Sequence, residues 1–138
     1  GATMEAYGDL IAIGLPPSRT SSFVNAFHVP ASVSANAKLR FVLWLTGPQT
    51  YTVPASITLG TRVFTRPSGA AVTIPTEGSL ALTVPASTSV AAGKYIELVS
   101  ADLTVSGGDT VYLRITRTGS GDGVGSEIHI LKNFAVFV

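Results

Sequence analysis

Along residues 39–45, "LRFVLWL", Leu39, Phe41, Leu43 and Leu45 fall on one face while Arg40, Val42 and Trp44 fall on the other. Two is the side-chain period of a β-strand, so this stretch is expected to lay one face on a core. Residues 111–117, "VYLRITR", repeat the pattern, with Val111, Leu113 and Ile115 set against Tyr112, Arg114 and Thr116. Further strands are expected at 8–14, 21–29, 57–65, 70–74, 79–84, 94–105 and 127–138, rich in Val, Ile, Thr and aromatics and punctuated by Gly, Pro and Ser. Helical periodicity is nearly absent; "PASTSVAAGK", residues 85–94, admits at most one turn. No break in composition divides the chain, so one all-β domain is expected. Its core is expected to hold Leu39, Phe41, Leu43, Val111, Leu113, Ile115, Ile128 and Ile130.

The tetrapeptide VPAS occurs at 29–32, 53–56 and 84–87. A residue before proline is pushed to extended geometry, and the proline then removes a ladder donor. Small Ala and Ser can follow into a turn. The spacing is uneven and the flanking residues differ, so VPAS reads as strand-end punctuation and not as a repeat unit.

Composition adds a second clue. Hydrophobic residues make up 46% of the 138 and charged residues 12%, against a usual charged share of about 25%. No apolar run approaches the roughly 18 residues of a membrane-spanning helix. An outer-membrane barrel needs strands of about ten alternating residues, and most expected strands are shorter. So apolar and charge-poor a chain is expected to cover part of its surface with copies of itself. Net charge is +1 with Lys and Arg scattered; nucleic-acid binding needs a clustered basic face, so none is expected. There are no cysteines. Gly1-Ala2-Thr3 ahead of Met4 reads as a cloning remnant, with residues 1–6 expected to be a flexible N-terminus and 7–138 the domain.

Catalytic signatures are lacking. The chain has two histidines, His28 and His129, and no nucleophile elbow, zinc-protease motif or phosphate loop. No enzymatic activity, cofactor or metal is expected. The loop "GSGDGVGSE", 119–127, reads as a glycine-rich hairpin connection, although Asp122 and Glu127 are oxygen donors of the kind calcium takes. Asp109, in "SGGD", is expected to fix its own turn through the backbone.

The second faces of the strands carry the stronger signal. Arg40, Val42 and Trp44 share one, Tyr112, Arg114 and Thr116 another, and Glu127, His129 and Leu131 a third. Aromatic, aliphatic and Arg residues mixed in this way match protein–protein interfaces. Arg40, Trp44, Tyr112, Arg114, Glu127 and His129 are therefore candidates for a homo-oligomeric contact, with Arg40 or Arg114 meeting Glu127 or Glu97 of a neighbour. The alternative from a different class is a monomeric carbohydrate-binding β-sandwich module, with Trp44, Tyr51 and Tyr112 stacking on sugar rings.

The order of the pieces resembles a known architecture. "SSFVNAFHVPASVSANAKLRFVLWL" resembles the opening of jelly-roll domains in bacteriophage tail fibres, spikes and small virion proteins. "LTVSGGDTVYLRITRTGSGDGVGSEIHILKNFAVFV" resembles their closing hairpin. The resemblance implies an antiparallel jelly-roll β-sandwich of eight or nine strands, homotrimeric, acting as a virion structural module at a fibre, spike or capsid surface. It further implies other virion proteins and a host surface glycan as partners, with no membrane insertion. Outward contacts are then expected from the loops near Tyr51, Arg66 and Asp122.

Overall fold

A computed structural model of the chain describes residues 2–7, 10–33, 37–46, 56–65, 69, 71–83, 95–120 and 125–137. Among them there is no helix, and eleven strands follow in order: β1 (Thr3–Tyr7), β2 (Leu10–Leu15), β3 (Thr20–His28), β4 (Ala37–Thr46), β5 (Ile57–Phe64), β6 (Gly78–Leu80), β7 (Leu82–Thr83), β8 (Tyr95–Ser100), β9 (Leu103–Val105), β10 (Thr110–Thr118) and β11 (Ile128–Phe137). They build two antiparallel sheets. The larger, seven-stranded sheet runs β1-β2-β11-β4-β8-β7, with β9 also on β4, and the four-stranded sheet runs β3-β10-β5-β6.

The sheets face one another across a single core, as in a β-sandwich. β4 sends in Leu39, Phe41, Leu43 and Leu45, β10 sends in Val111, Leu113 and Ile115, and β11 sends in Ile128 and Ile130, every one at most 1% exposed. The alternating faces read from the sequence are thus the buried ones. Between the sheets the rings of Phe27 (β3) and Phe41 lie 5.6 Å apart, tilted at 56°, a favourable aromatic arrangement.

The period of two continues one step further than the apolar residues do. Arg117 follows Ile115 inward and is fully buried. Its Nη1 donates to the carbonyls of Leu15 at 2.8 Å and Ser126 at 2.9 Å. A buried guanidinium is tolerated because such acceptors replace water. Arg117 thereby ties β10 to the end of β2 and the approach to β11, across the sandwich.

Several boundaries differ from the expected ones. A ladder begins at Thr3, paired with Gly14 of β2, inside the stretch expected to be flexible. Residues 71–77 join no ladder, so no strand forms over 71–74. The expected strand 79–84 divides at Ala81, β6 lying in one sheet and β7 in the other. The expected strand 94–105 breaks at a bulge: between the pairs Val42↔Val99 and Leu39↔Leu103, two β4 residues face Ser100, Ala101 and Asp102. There Ser100 Oγ replaces a ladder carbonyl, accepting the Phe41 N–H at 2.8 Å.

The first VPAS behaves as punctuation. β3 ends at His28, and Val29 is buried with its N–H donating to the Asp109 carbonyl at 2.7 Å. Pro30 then opens a turn closed by the Val33 N–H on its carbonyl at 3.0 Å. That turn lies against the Ser106–Asp109 turn, where Gly108 has φ +91° and Gly107 sits so close that a Cβ would come within 2.5 Å of the Val33 carbonyl. Asp109 holds its own turn as expected, its Oδ2 accepting the Ser106 N–H at 2.9 Å. The second VPAS, apart from Ser56, and the third, with the turn considered at 85–94, lie outside the described residues.

Candidate functional site

The six interface candidates divide between two outer faces. Arg40 and Trp44 stand on β4, and Glu127 and His129 at the start of β11, in the larger sheet; Tyr112 and Arg114 stand on β10, at the middle of the smaller sheet.

On the larger sheet, polar groups meet in separate pairs along the face. Arg40 Nε and Nη2 both lie 3.1 Å from Asp102 Oδ1, a contact the bulge makes possible. The Trp44 indole N–H donates to Glu97 Oε2 at 3.0 Å, from directly across the β4–β8 ladder. His129 Nε2 is 3.2 Å from Glu127 Oε1. Half-buried Val42, Val99 and Leu131 separate these pairs. Arg40 and Arg114, expected to reach acidic groups of a neighbour, each have an acidic partner within the chain.

The smaller sheet is built differently. In register, Tyr112 faces Arg62, and Arg114 faces Gly60 on one side and Val24 on the other. Phe64 is diagonal to Tyr112, its ring 5.1 Å away and edge-on at 62°. Glu77 directly precedes β6, whose pairing Thr61↔Gly78 delivers it beside Arg62. Its carboxylate rests over Gly60, where a Cβ would stand 2.4 Å from Oε1. From there Glu77 Oε2 lies 3.4 Å from Arg114 Nε and 3.7 Å from Arg62 Nη2. Arg62 Nη1 also donates to the Pro75 carbonyl.

Val24, Arg62, Phe64, Glu77, Tyr112 and Arg114 line a hollow of about 110 Å³. Two guanidinium groups share one carboxylate there, leaving one positive charge in excess beside an aromatic pair. The side chains of Arg62, Arg114 and Glu77 are 30%, 45% and 32% exposed. These ion pairs are long and wet, the kind that contribute little to stability and exchange readily. Chemically, the hollow can receive an anionic group on the guanidiniums and an apolar ring face on the aromatics.

Tyr112 and Arg114 were legible as a pair on an outer face. Arg62 and Phe64 were missed, although the period of two over 57–64 places them together with Gly60. Glu77 left no such signal, because its segment has no ladder and its position depends on β6 pairing with β5. Tyr51, Arg66 and Asp122 lie outside the described residues. His28 caps the end of β3, its Nδ1 3.3 Å from Thr110 Oγ1. Among the described residues no three acidic or His side chains gather to hold a metal ion.

Compared with models of known protein families and with curated proteins, the chain matches none.

Proposed function

We propose that this chain is a non-enzymatic jelly-roll module of a phage virion, assembled as a homotrimer and displayed at the particle surface. The observation that carries the reading is how the two virion-like stretches meet. The opening stretch supplies β3 and β4, the closing stretch supplies β10 and β11, and they pair as β3–β10 in one sheet and β4–β11 in the other. The resemblance therefore covers the middle of the larger sheet and the β3 side of the smaller one, and the two parts belong to one another in space. The order of strands supports the jelly-roll winding: β2-β11-β4-β8 opposes β3-β10-β5-β6, and taken through these eight strands the chain crosses between sheets at every step but β5 to β6.

Self-association is supported by the outer face of the larger sheet, where Val42, Val99, Leu131 and Trp44 sit among polar groups that already have partners within the chain. A face of this mixed aliphatic, aromatic and charged composition suits an interface between copies. Light scattering after size exclusion, at several dilutions, tests the reading: a stable species of three 14.2 kDa chains is expected. A monomer at every dilution would overturn it and promote a monomeric carbohydrate-binding module. In that case the aromatics to examine are Trp44, whose ring face is not used by its N–H bond to Glu97, and the Tyr112–Phe64 pair.

A further inference from the structure

We infer that the hollow on the four-stranded sheet is a binding site for a carboxylate-bearing sugar residue at the end of a glycan, held by Arg62 and Arg114 over Tyr112 and Phe64. The inference deepens the reading of the chain as a surface module and assigns it a ligand class.

One carboxylate, Glu77, lies 3.4 and 3.7 Å from two guanidinium groups, which together present far more N–H donors than its two oxygens can satisfy. A second carboxylate can add to the pair or take the place of Glu77, and planar guanidiniums receive such a group through paired hydrogen bonds. The exposure of all three side chains keeps the cost of that exchange small. Beside the charges, the edge-on Phe64–Tyr112 pair offers an apolar surface for the C–H face of a ring, with the Tyr hydroxyl as a polar handle. At about 110 Å³ the hollow is well below the roughly 300 Å³ of a pocket that engulfs a drug-sized ligand. It can take up one face of a single terminal residue, with the rest of the glycan leading into solvent.

Position in the sheet argues against a peptide carboxylate. β10, which carries Tyr112 and Arg114, is paired on both sides, by β3 and by β5, so a peptide strand cannot add to the sheet beside these two residues. Nucleic acid would need a continuing basic track, whereas here two arginines flank a glutamate.

The test is a titration of the ¹⁵N-labelled protein, followed by amide shifts, with D-glucuronic acid, D-glucose and acetate as probes. Glucuronic acid is expected to give saturable shifts at residues 62–64 and 112–114, with a Kd of about 1 mM, near −4 kcal/mol. Glucose is expected to give none, and acetate is expected to bind at least severalfold more weakly. Arg114→Ala should abolish the response. Glu77→Gln should tighten binding about threefold to fivefold, because it removes the competing charge, and a merely structural role for Glu77 would not produce that gain. Equal binding of glucose, equal binding of acetate, no saturable shift, or weaker binding by Glu77→Gln would each overturn the inference. Oligomeric mass is read separately on the same samples. A monomer that binds glucuronic acid keeps this inference and loses the trimer, while a trimer without shifts does the reverse.

Discussion

The two outer faces of the sandwich use the same kinds of residue to opposite effect. On the larger sheet Arg40 meets Asp102, Trp44 meets Glu97 and His129 meets Glu127, and aliphatic side chains fill the gaps. On the smaller sheet two arginines converge on Glu77 and leave a hollow beside an aromatic pair. Much of the difference turns on one residue. Gly60 has no side chain where its outward position would otherwise be filled, so a carboxylate from another segment lies there and draws both arginines to itself. A face of separate polar pairs with aliphatic side chains between them suits contact with another protein surface; two arginines on one carboxylate beside a hollow suit a small ligand.

The comparison breaks most completely at Val42, which faces Val99 across the β4–β8 ladder. Val42→Asp would place a charge in the middle of that face, and a threefold fall in light-scattering mass is expected with the strand signature in circular dichroism retained. The same experiment on Arg114→Ala should leave the mass unchanged. If both variants dissociate, or neither does, the division of labour between the faces is wrong.

Arg117 should matter to both faces because it joins the sheets from inside. Arg117→Met removes the donors to the Leu15 and Ser126 carbonyls in a buried setting. Each stranded buried acceptor costs about 1–3 kcal/mol, so a loss of about 2–4 kcal/mol in urea unfolding is expected. A loss below the about 0.5 kcal/mol of an ordinary surface change would mean that the sheets do not depend on this tie.

Gly60→Ala is the sharper test of how the hollow arises. The new methyl meets the far end of a flexible side chain and not backbone, so stability should change by no more than about 1 kcal/mol. Glu77 must move, however, and the amide shifts of Arg62, Glu77 and Arg114 should change together while those around Trp44 stay. Unmoved resonances on the small sheet would show that Glu77 is placed by something other than the space over Gly60.

The smallest effect is expected at Arg40. Its pair with Asp102 is exposed, with side chains 43% and 30% accessible, so Arg40→Ala should cost about 0.2–1 kcal/mol, less at high salt. A larger loss in thermal unfolding would mean that the bulge at Ser100–Asp102 relies on the ion pair more than on the Ser100 hydroxyl.

What could be read from the chain alone was whatever depends on near neighbours in sequence. The alternation at 39–45 and 111–117 identified strands and their buried faces, because a side chain's direction in a strand follows from residue parity. The turn chemistry of Val29-Pro30 and Gly108-Asp109 was legible for the same reason: backbone restrictions are local. Arg117 shows where such reading stopped short, since its parity pointed inward while its charge argued outward, and only the carbonyls of Leu15 and Ser126 decide between them. The tertiary structure alone decided which second faces belong together, dividing Arg40 and Trp44 from Tyr112 and Arg114. It alone carried the chain from β6 to β7 across sheets at Ala81, and it alone brought Glu77 over Gly60 between Arg62 and Arg114. Those contacts join residues far apart in the chain, and their geometry follows from strand pairing and register, which no local pattern contains.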